Sequence, residues 1–422
     1  MDKSLSYNKE IINWGYLLGY LGLFLVLPPI IGLPVILYVV WKKSHPKYSD
    51  YLLLMACIAI YFGSINATKQ PSGDQVNYYV AYMNVPDIGF LKSLIYIYGL
   101  DLLSDPGKTS FSGEFMNGVY NYLGYYLTFG YYPLFAALYT FVEYLMIYLG
   151  LYKVFRKAQM PKYPIVCGVL TLSFFYLFFQ YTLQIQKQFF AQAIMMYVLG
   201  SYAEKGKMTI KLWLIALCSI LTHASTGLFL PFLLLKPLRG RLTKKWMLFL
   251  AMMLLGFVLY GPRMAENVAS DNSGVAGYGM KRFAESEGQD DLTGGLVMSQ
   301  ILVIAVPMFM IVFRQLWIKR HVLIDKAQAF ILNITFLLLL SVASMYSKPL
   351  AQYRYFMMLL AFMPFVYPFI SSNVSKRNQW LMIISLVMVV WFYFQFSKIT
   401  WHYAPEWQIV AYPPALLVYT GF

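Results

Sequence analysis

The sequence predicts an all-α, polytopic integral membrane protein with about twelve transmembrane helices. Three observations predict it. The 422-residue chain is 59% hydrophobic and 12% charged, where a soluble domain carries roughly 25% charge. Apolar runs of about 20 residues recur from end to end, each long enough to cross a hydrocarbon core of roughly 30 Å. Basic residues crowd into every second connection between those runs. A transmembrane β-barrel would show alternating segments of about 10 residues instead.

In chain order the expected spans are 14–40, 51–66, 131–152, 164–180, 184–202, 210–222, 225–236, 246–261, 296–316, 328–346, 355–371 and 379–397. The first is too long for a removable signal peptide and lacks a small-residue cleavage site. It holds Pro28, Pro29 and Pro34, so it should kink. The sixth and seventh are short, and read as one broken helix or a tight hairpin. Cys57, Cys167 and Cys218 all fall inside apolar spans, which argues against a disulfide framework or a cysteine metal site.

Charge sets the expected orientation. Six alternate connections, at 42–47, 153–162, 205–211, 236–245, 314–326 and 376–377, hold 21 of the 33 Lys and Arg residues. Only Asp50, Glu204 and Asp325 accompany them. The positive-inside rule makes these connections cytoplasmic. The net charge of +15 is then a property of membrane loops, and no nucleic-acid partner is implied. Residues 1–422 read as a single membrane domain. It carries an external loop at 67–130 with two interfacial helices, Asp87–Ser104 and Gly113–Tyr132. A Gly-, Ser- and acid-rich flexible external loop follows at 262–295. An aromatic, Pro-broken external segment at 400–422 completes it.

Polar residues gather near the expected external face. In "YTLQIQKQFFAQAIMM" (Tyr181–Met196), a continuous helix would put Gln184, Lys187, Gln188, Ala191 and Gln192 on one face. The hairpin "LTHASTG" supplies His223 and Ser225. "SKPLAQYRYFMML" supplies Lys348, Gln352 and Arg354, and "TKQPSGDQVNYYVAY" supplies Lys69, Asp74 and Tyr78. Each has a plain reading. Lys187 and Arg354 singly are helix-end cations reaching for headgroups. His223 and Asp74 are turn residues, and the glutamines are interhelical hydrogen-bonders. Glu143, in mid-span, is neutral, paired or functional. Convergence on one side favours a site, since polar groups at bilayer depth face a bundle interior or a cavity.

These stretches resemble the EpsG group of bacterial exopolysaccharide polymerases, within the wider Wzy-type O-antigen polymerases. "KQPSGDQVNYY" is similar to a family segment of a basic residue, Gly, Asp and Tyr. "GEFMNGVYNYL" resembles a Glu-led segment, which makes Glu114 the matching acid. "QKQFFAQAI" followed by "LTHAS" resembles an Arg-Gln helix and its His-x-Ser hairpin, and "QYRYFMML" an Arg-led late span. The resemblance runs over roughly residues 10–400. The family generally has Arg where this chain has Lys187, and often where it has Lys69. Arg holds phosphate through a bidentate fork, whereas Lys acts as a point charge.

The resemblance implies a GT-C-like fold in the bacterial cytoplasmic membrane, with its active site at the outer face. It implies polymerisation of polyprenyl-pyrophosphate-linked repeat units, each glycan passing from its lipid pyrophosphate to a lipid-linked acceptor. Lys187 and Arg354 would hold the pyrophosphate. His223 would be the base, with Asp74 or Glu114 the alternative. Lys69, Tyr78, Gln184, Gln188, Gln192, Ser225, Lys348 and Gln352 would line the substrate. No metal or cofactor is called for. Membrane lipids, a chain-length regulator and a flippase of the same pathway are the implied partners. An O-antigen ligase-like transferase and a polysaccharide flippase or exporter are the competing readings. A transporter should show repeated halves, and no convincing repeat is present.

Overall fold

A computed structural model describes residues 12–72, 74–95, 115–270, 295–319, 324–346, 349–398 and 403–421. The described residues are all-helical. In order, the helices are α1 Trp14–Val26, α2 Pro29–Lys42, α3 Tyr48–Ala67, α4 Asp74–Met83, α5 Val85–Ile95, α6 Met116–Leu127 and α7 Tyr132–Lys157. Next come α8 Lys162–Ser173, α9 Tyr176–Gln184, α10 Gln186–Lys205, α11 Ile210–Thr222, a 3-10 turn Ala224–Phe229, α12 Leu230–Leu234, α13 Lys236–Arg239 and α14 Lys244–Ser270. The last are α15 Gly295–Phe313, α16 Lys326–Ser344, α17 Pro349–Leu360, α18 Met363–Val366, α19 Val374–Phe396, α20 Glu406–Ala411 and α21 Pro414–Tyr419.

Among the described residues, five helices are long and apolar enough to span a membrane. The bent pair of α8 and α9 (57°) makes a sixth if counted as one span. Several of the expected twelve runs are instead broken into shorter apolar helices. The first run breaks at Leu27, which is extended (φ −92°, ψ 140°) because Pro28 follows it. The run expected at 355–371 is divided among α17, α18 and a 3-10 turn Tyr367–Phe369. The first part of the loop expected at 262–295 is helical, since α14 runs to Ser270. Residues 271–294 lie outside the described residues. The C-terminal segment is more helical than its prolines suggested, because Pro405 and Pro413 each precede a helix rather than interrupt one.

The chain forms two compact units. The first comprises Met1–Ser72, Gly124–Leu145 and Tyr393–Phe422. Its centre is α3, buried along nearly its whole length. Asp50 anchors that helix by accepting the Lys47 N–H at 2.8 Å. An added Cβ at Gly63 would lie 2.5 Å from the Ala137 carbonyl oxygen, so glycine lets two backbones touch here. Beside that contact, Asn66 donates to Thr140 Oγ1 at 2.8 Å and Phe62 stacks on Tyr144 at 5.3 Å. Glu143 is fully buried, and neither carboxyl oxygen has a hydrogen-bond partner among the described residues. The C-terminal segment is stitched on through Ala404 N–H to Thr68 Oγ1 (3.2 Å) and Tyr131 OH to the Val418 carbonyl (2.9 Å).

The second unit comprises Gly73–Leu123 and Met146–Phe392. Its seam is again made of glycine. Gly150 on α7 and Gly200 on α10 meet backbone to backbone, and a Cβ at Gly150 would fall 2.5 Å from the Met196 carbonyl oxygen. Helix α10 ends at Gly206, whose φ of +71° is the left-handed cap that glycine adopts without strain. At this end the basic connections touch one another. Lys153 Nζ lies 3.0 Å from Glu204 Oε2, and Arg156 also pairs with Glu204. Arg239 donates to the Leu234 carbonyl (3.1 Å), Arg241 to that of Lys319 (3.0 Å) and Arg314 to that of Ile370 (3.1 Å). Within this unit the basic connection at 236–245 thus touches that at 314–326, and the one at 153–162 touches the end of α10.

Candidate active site

The site begins with an interruption. The expected continuous helix over Tyr181–Met196 is broken at Ile185 (φ −109°, ψ 52°), which closes α9 and opens α10. No proline or glycine causes the break. A β-branched residue leaves the helical region while its N–H still bonds the Tyr181 carbonyl (2.9 Å) and its own carbonyl accepts from Phe189 (3.2 Å). This corrects the glutamine stripe. Gln184 ends one helix and is not on the helix that carries Lys187, Gln188 and Gln192.

The break creates the N-terminus of a 20-residue helix, with no side-chain cap and no acid in its first turn. Lys187 sits in that turn, only 8% exposed. A helix N-terminus carries roughly half a positive charge, and a cation there is opposed by about 0.3–1 kcal/mol. An anion would meet the backbone N–H groups, the dipole and the ammonium together.

Helix α17 packs alongside. Tyr353 meets Tyr181 edge to face at 5.2 Å. Gln188 Nε2 donates to the Arg354 carbonyl (3.4 Å) and Gln192 Nε2 to that of Met358 (2.6 Å). The backbone of Arg354 therefore lies beside the first turn of α10, and its side chain is half-buried. Gln352 is turned the other way, donating to the Val342 carbonyl at 3.0 Å. Three of the predicted substrate-binding amides thus spend a donor on packing. The Oε1 atoms of Gln186, Gln188 and Gln192 are buried without a hydrogen-bond partner among the described residues.

His223 closes α11 in extended conformation (φ −155°, ψ 121°) and caps the 3-10 turn after it. Its Nδ1 accepts the Ser225 N–H at 3.3 Å and lies 2.7 Å from Ser225 Oγ. With Nδ1 accepting, the neutral ring carries its proton on Nε2. Thr226 Oγ1 donates to the His223 carbonyl (3.0 Å). Ser219 Oγ donates to the Ala191 carbonyl (2.7 Å), tying this hairpin to α10. From α6, Tyr120 reaches Thr222 Oγ1 at 3.1 Å and packs on Phe190 at 5.0 Å. Sequence reasoning missed Tyr120, Ser219 and Thr226. Ser219 had a signal, a hydroxyl one helical turn before His223 in the chain.

The remaining candidates separate. Asp74 is the first residue of α4 and Tyr78 lies one turn on; α4 packs against α9 in the second unit. Lys69 belongs to the first unit. It is buried just past α3, with Nζ 5.9 Å from the centre of the Tyr403 ring. Burial pushes its ammonium down to about 8. Glu114 and Lys348 lie outside the described residues. The structure thus gathers Lys187, Arg354, His223 and Ser225 on packed neighbouring elements, and leaves Lys69 in a different unit.

No curated protein and no solved structure matches the chain. The model of the EpsG family matches residues 93–412, a range that includes Lys187, His223 and Arg354 and begins after Lys69, Asp74 and Tyr78. That match covers well over half of the sequence and agrees with the apolar helical architecture, and the chain belongs to the EpsG family, which points to a role in polysaccharide polymerisation.

Proposed function

We propose that this protein polymerises polyprenyl-pyrophosphate-linked oligosaccharide repeat units at the outer face of the bacterial cytoplasmic membrane. The observation that carries the reading is Lys187 in the first turn of an uncapped helix, beside the helix that carries Arg354. Backbone N–H groups, the helix dipole and an ammonium that converge on one turn favour an anion there, and the pyrophosphate of the donor is such an anion.

The reaction follows from these parts. A hydroxyl oxygen of the lipid-linked acceptor sugar bonds to the anomeric carbon of the donor glycan. The bond from that carbon to the pyrophosphate oxygen breaks, and polyprenyl pyrophosphate leaves. Lys187, Arg354 and the first-turn N–H groups of α10 stabilise the charge that develops on the leaving group. With Nδ1 held by Ser225, His223 is set to donate from Nε2 toward that same oxygen. Asp74, opening α4, takes the hydroxyl proton, with Glu114 as the alternative acid. The charge asymmetry of the connections supports an outer-face site, since Lys205 ends the same helix at its basic end.

The test is a reconstituted reaction on defined lipid-linked repeat units, read as a product ladder. Lys187→Gln and Arg354→Gln should each slow transfer by roughly 10²–10³, the cost of losing one preorganised donor. Lys187→Arg should keep or improve it. A full ladder from both Gln variants would sink the reading. A single glycan transfer to a non-lipid acceptor, with no ladder, would make the protein a ligase-like transferase.

A further inference from the structure

We propose that Gln192 is a positioning residue that sets the height of Arg354 against Lys187, rather than a group that touches the glycan. The inference rests on the pyrophosphate reading above. Gln188 and Gln192 stand one turn apart on α10, and their acceptors, the carbonyls of Arg354 and Met358, stand one turn apart on α17. Two donors on one helix thus engage two carbonyls on the other at the same step. A slip of one residue along α17 would shift it by about 1.5 Å and rotate it by about 100°, breaking both bonds.

The two bonds are unequal. At 2.6 Å the Gln192 bond is short, whereas the Gln188 bond at 3.4 Å is long. Gln192 is fully buried, so no water competes for its donor, and a helix displaced from it would leave an amide and a carbonyl unsatisfied in apolar surroundings. Helix α17 has only 12 residues and depends on such anchors. Among the described residues no hydrogen bond or ion pair holds the Arg354 guanidinium. Its location is therefore set by the backbone of α17, and that backbone is referenced to α10 through Gln192. The same helix references the hairpin of His223 through Ser219 and the Ala191 carbonyl, one residue away from Gln192. The middle of α10 is thus the common ruler for both groups.

The experiment is a double-mutant cycle in the reconstituted reaction, with Gln192→Met as the probe, since it keeps length and loses the donor. Arg354→Lys, which keeps charge and some activity, is the second background. Gln192→Met should lower kcat by roughly 10- to 100-fold, as expected when a charged group is displaced by about an ångström. KM should stay within about twofold, because the displaced charge acts on the transition state. In the Arg354→Lys background the same change should cost less than about twofold. An equal loss in both backgrounds makes Gln192 a general packing residue and overturns the proposal, as does an unchanged kcat. If Gln192→Met fails to fold, Gln192→Glu replaces it. Buried and protonated, its carboxyl can still donate, so its rate should fall as pH rises, and a pH profile parallel to wild type would overturn the proposal. Full activity of Arg354→Gln identifies the other failure, that of the pyrophosphate reading, and removes this proposal with it.

Discussion

The two ends of the second unit treat positive charge in opposite ways. At the basic end, Arg239, Arg241 and Arg314 donate to carbonyls at the ends of helical segments, and Lys153 and Arg156 share Glu204. Cations at helix C-termini are favoured by the dipole, so those charges already have their counterparts. At the other end Lys187 stands at a helix N-terminus, where the dipole opposes it. The same residue class meets carbonyls and a carboxylate at one end and the positive end of a helix dipole at the other, where an anionic ligand is favoured.

The largest effect should come from His223, placed above as the Nε2 donor to the leaving oxygen. His223→Asn keeps a side-chain acceptor suited to capping the following turn but removes the imidazole donor. Turnover should fall by roughly 10²–10⁴ while thermal stability in detergent holds. Activity within a few-fold of wild type would remove His223 from the reaction.

Next, Lys187→Gln removes the charge at that turn without adding a buried carboxylate. Transfer should fall by roughly 10²–10³, while stability shifts by no more than about 0.3–1 kcal/mol. A held melting temperature with lost activity would sharpen the comparison; much lower stability with lost activity would break it.

Arg241→Met tests the opposite end. It removes donors from the Gln315 and Lys319 carbonyls, and chemical denaturation should register a loss of about 1–3 kcal/mol. Turnover per folded molecule should not change. A specific loss of turnover would show that the basic end also serves the reaction.

The smallest effect concerns Lys69, whose ammonium burial has lowered to about 8. Below that pH it is charged in folded and unfolded chains alike, and the fold bears a constant desolvation penalty. As pH rises from about 8 toward the unfolded value near 10.4, the folded chain releases its proton first, so stability rises across that window. Melting temperatures of wild type relative to Lys69→Met should climb between those limits. A flat difference would mean that the buried amine keeps its proton.

Much of this was legible in the sequence, and the failures have physical causes. Charge sorting found the basic connections because the positive-inside rule acts on composition, which needs no geometry. The break at Leu27 was legible because proline restricts its predecessor. The break at Ile185 was not, because no residue there forbids a helix; tertiary packing decides it, and with it the placement of Gln184. The convergence of Lys187, Arg354 and His223 on neighbouring elements followed from topology. The roles of Gln188, Gln192 and Gln352 did not, since an amide reads the same in sequence whether its donor meets a sugar or a backbone carbonyl.

The glycine seam between Gly150 and Gly200 has a mechanical consequence. Where backbones touch, no side chain lies between them to change rotamer, and the compliance of the joint approaches that of the peptide units themselves. This stretch of α7 and the inner half of α10 therefore move as one beam, with the first turn of α10 as its tip. Element α6 is clasped by side chains instead, through Tyr120 and Thr222. On the function proposed above, a bulky lipid-linked chain would be accommodated by side-chain rearrangement around the beam, while its tip stays still.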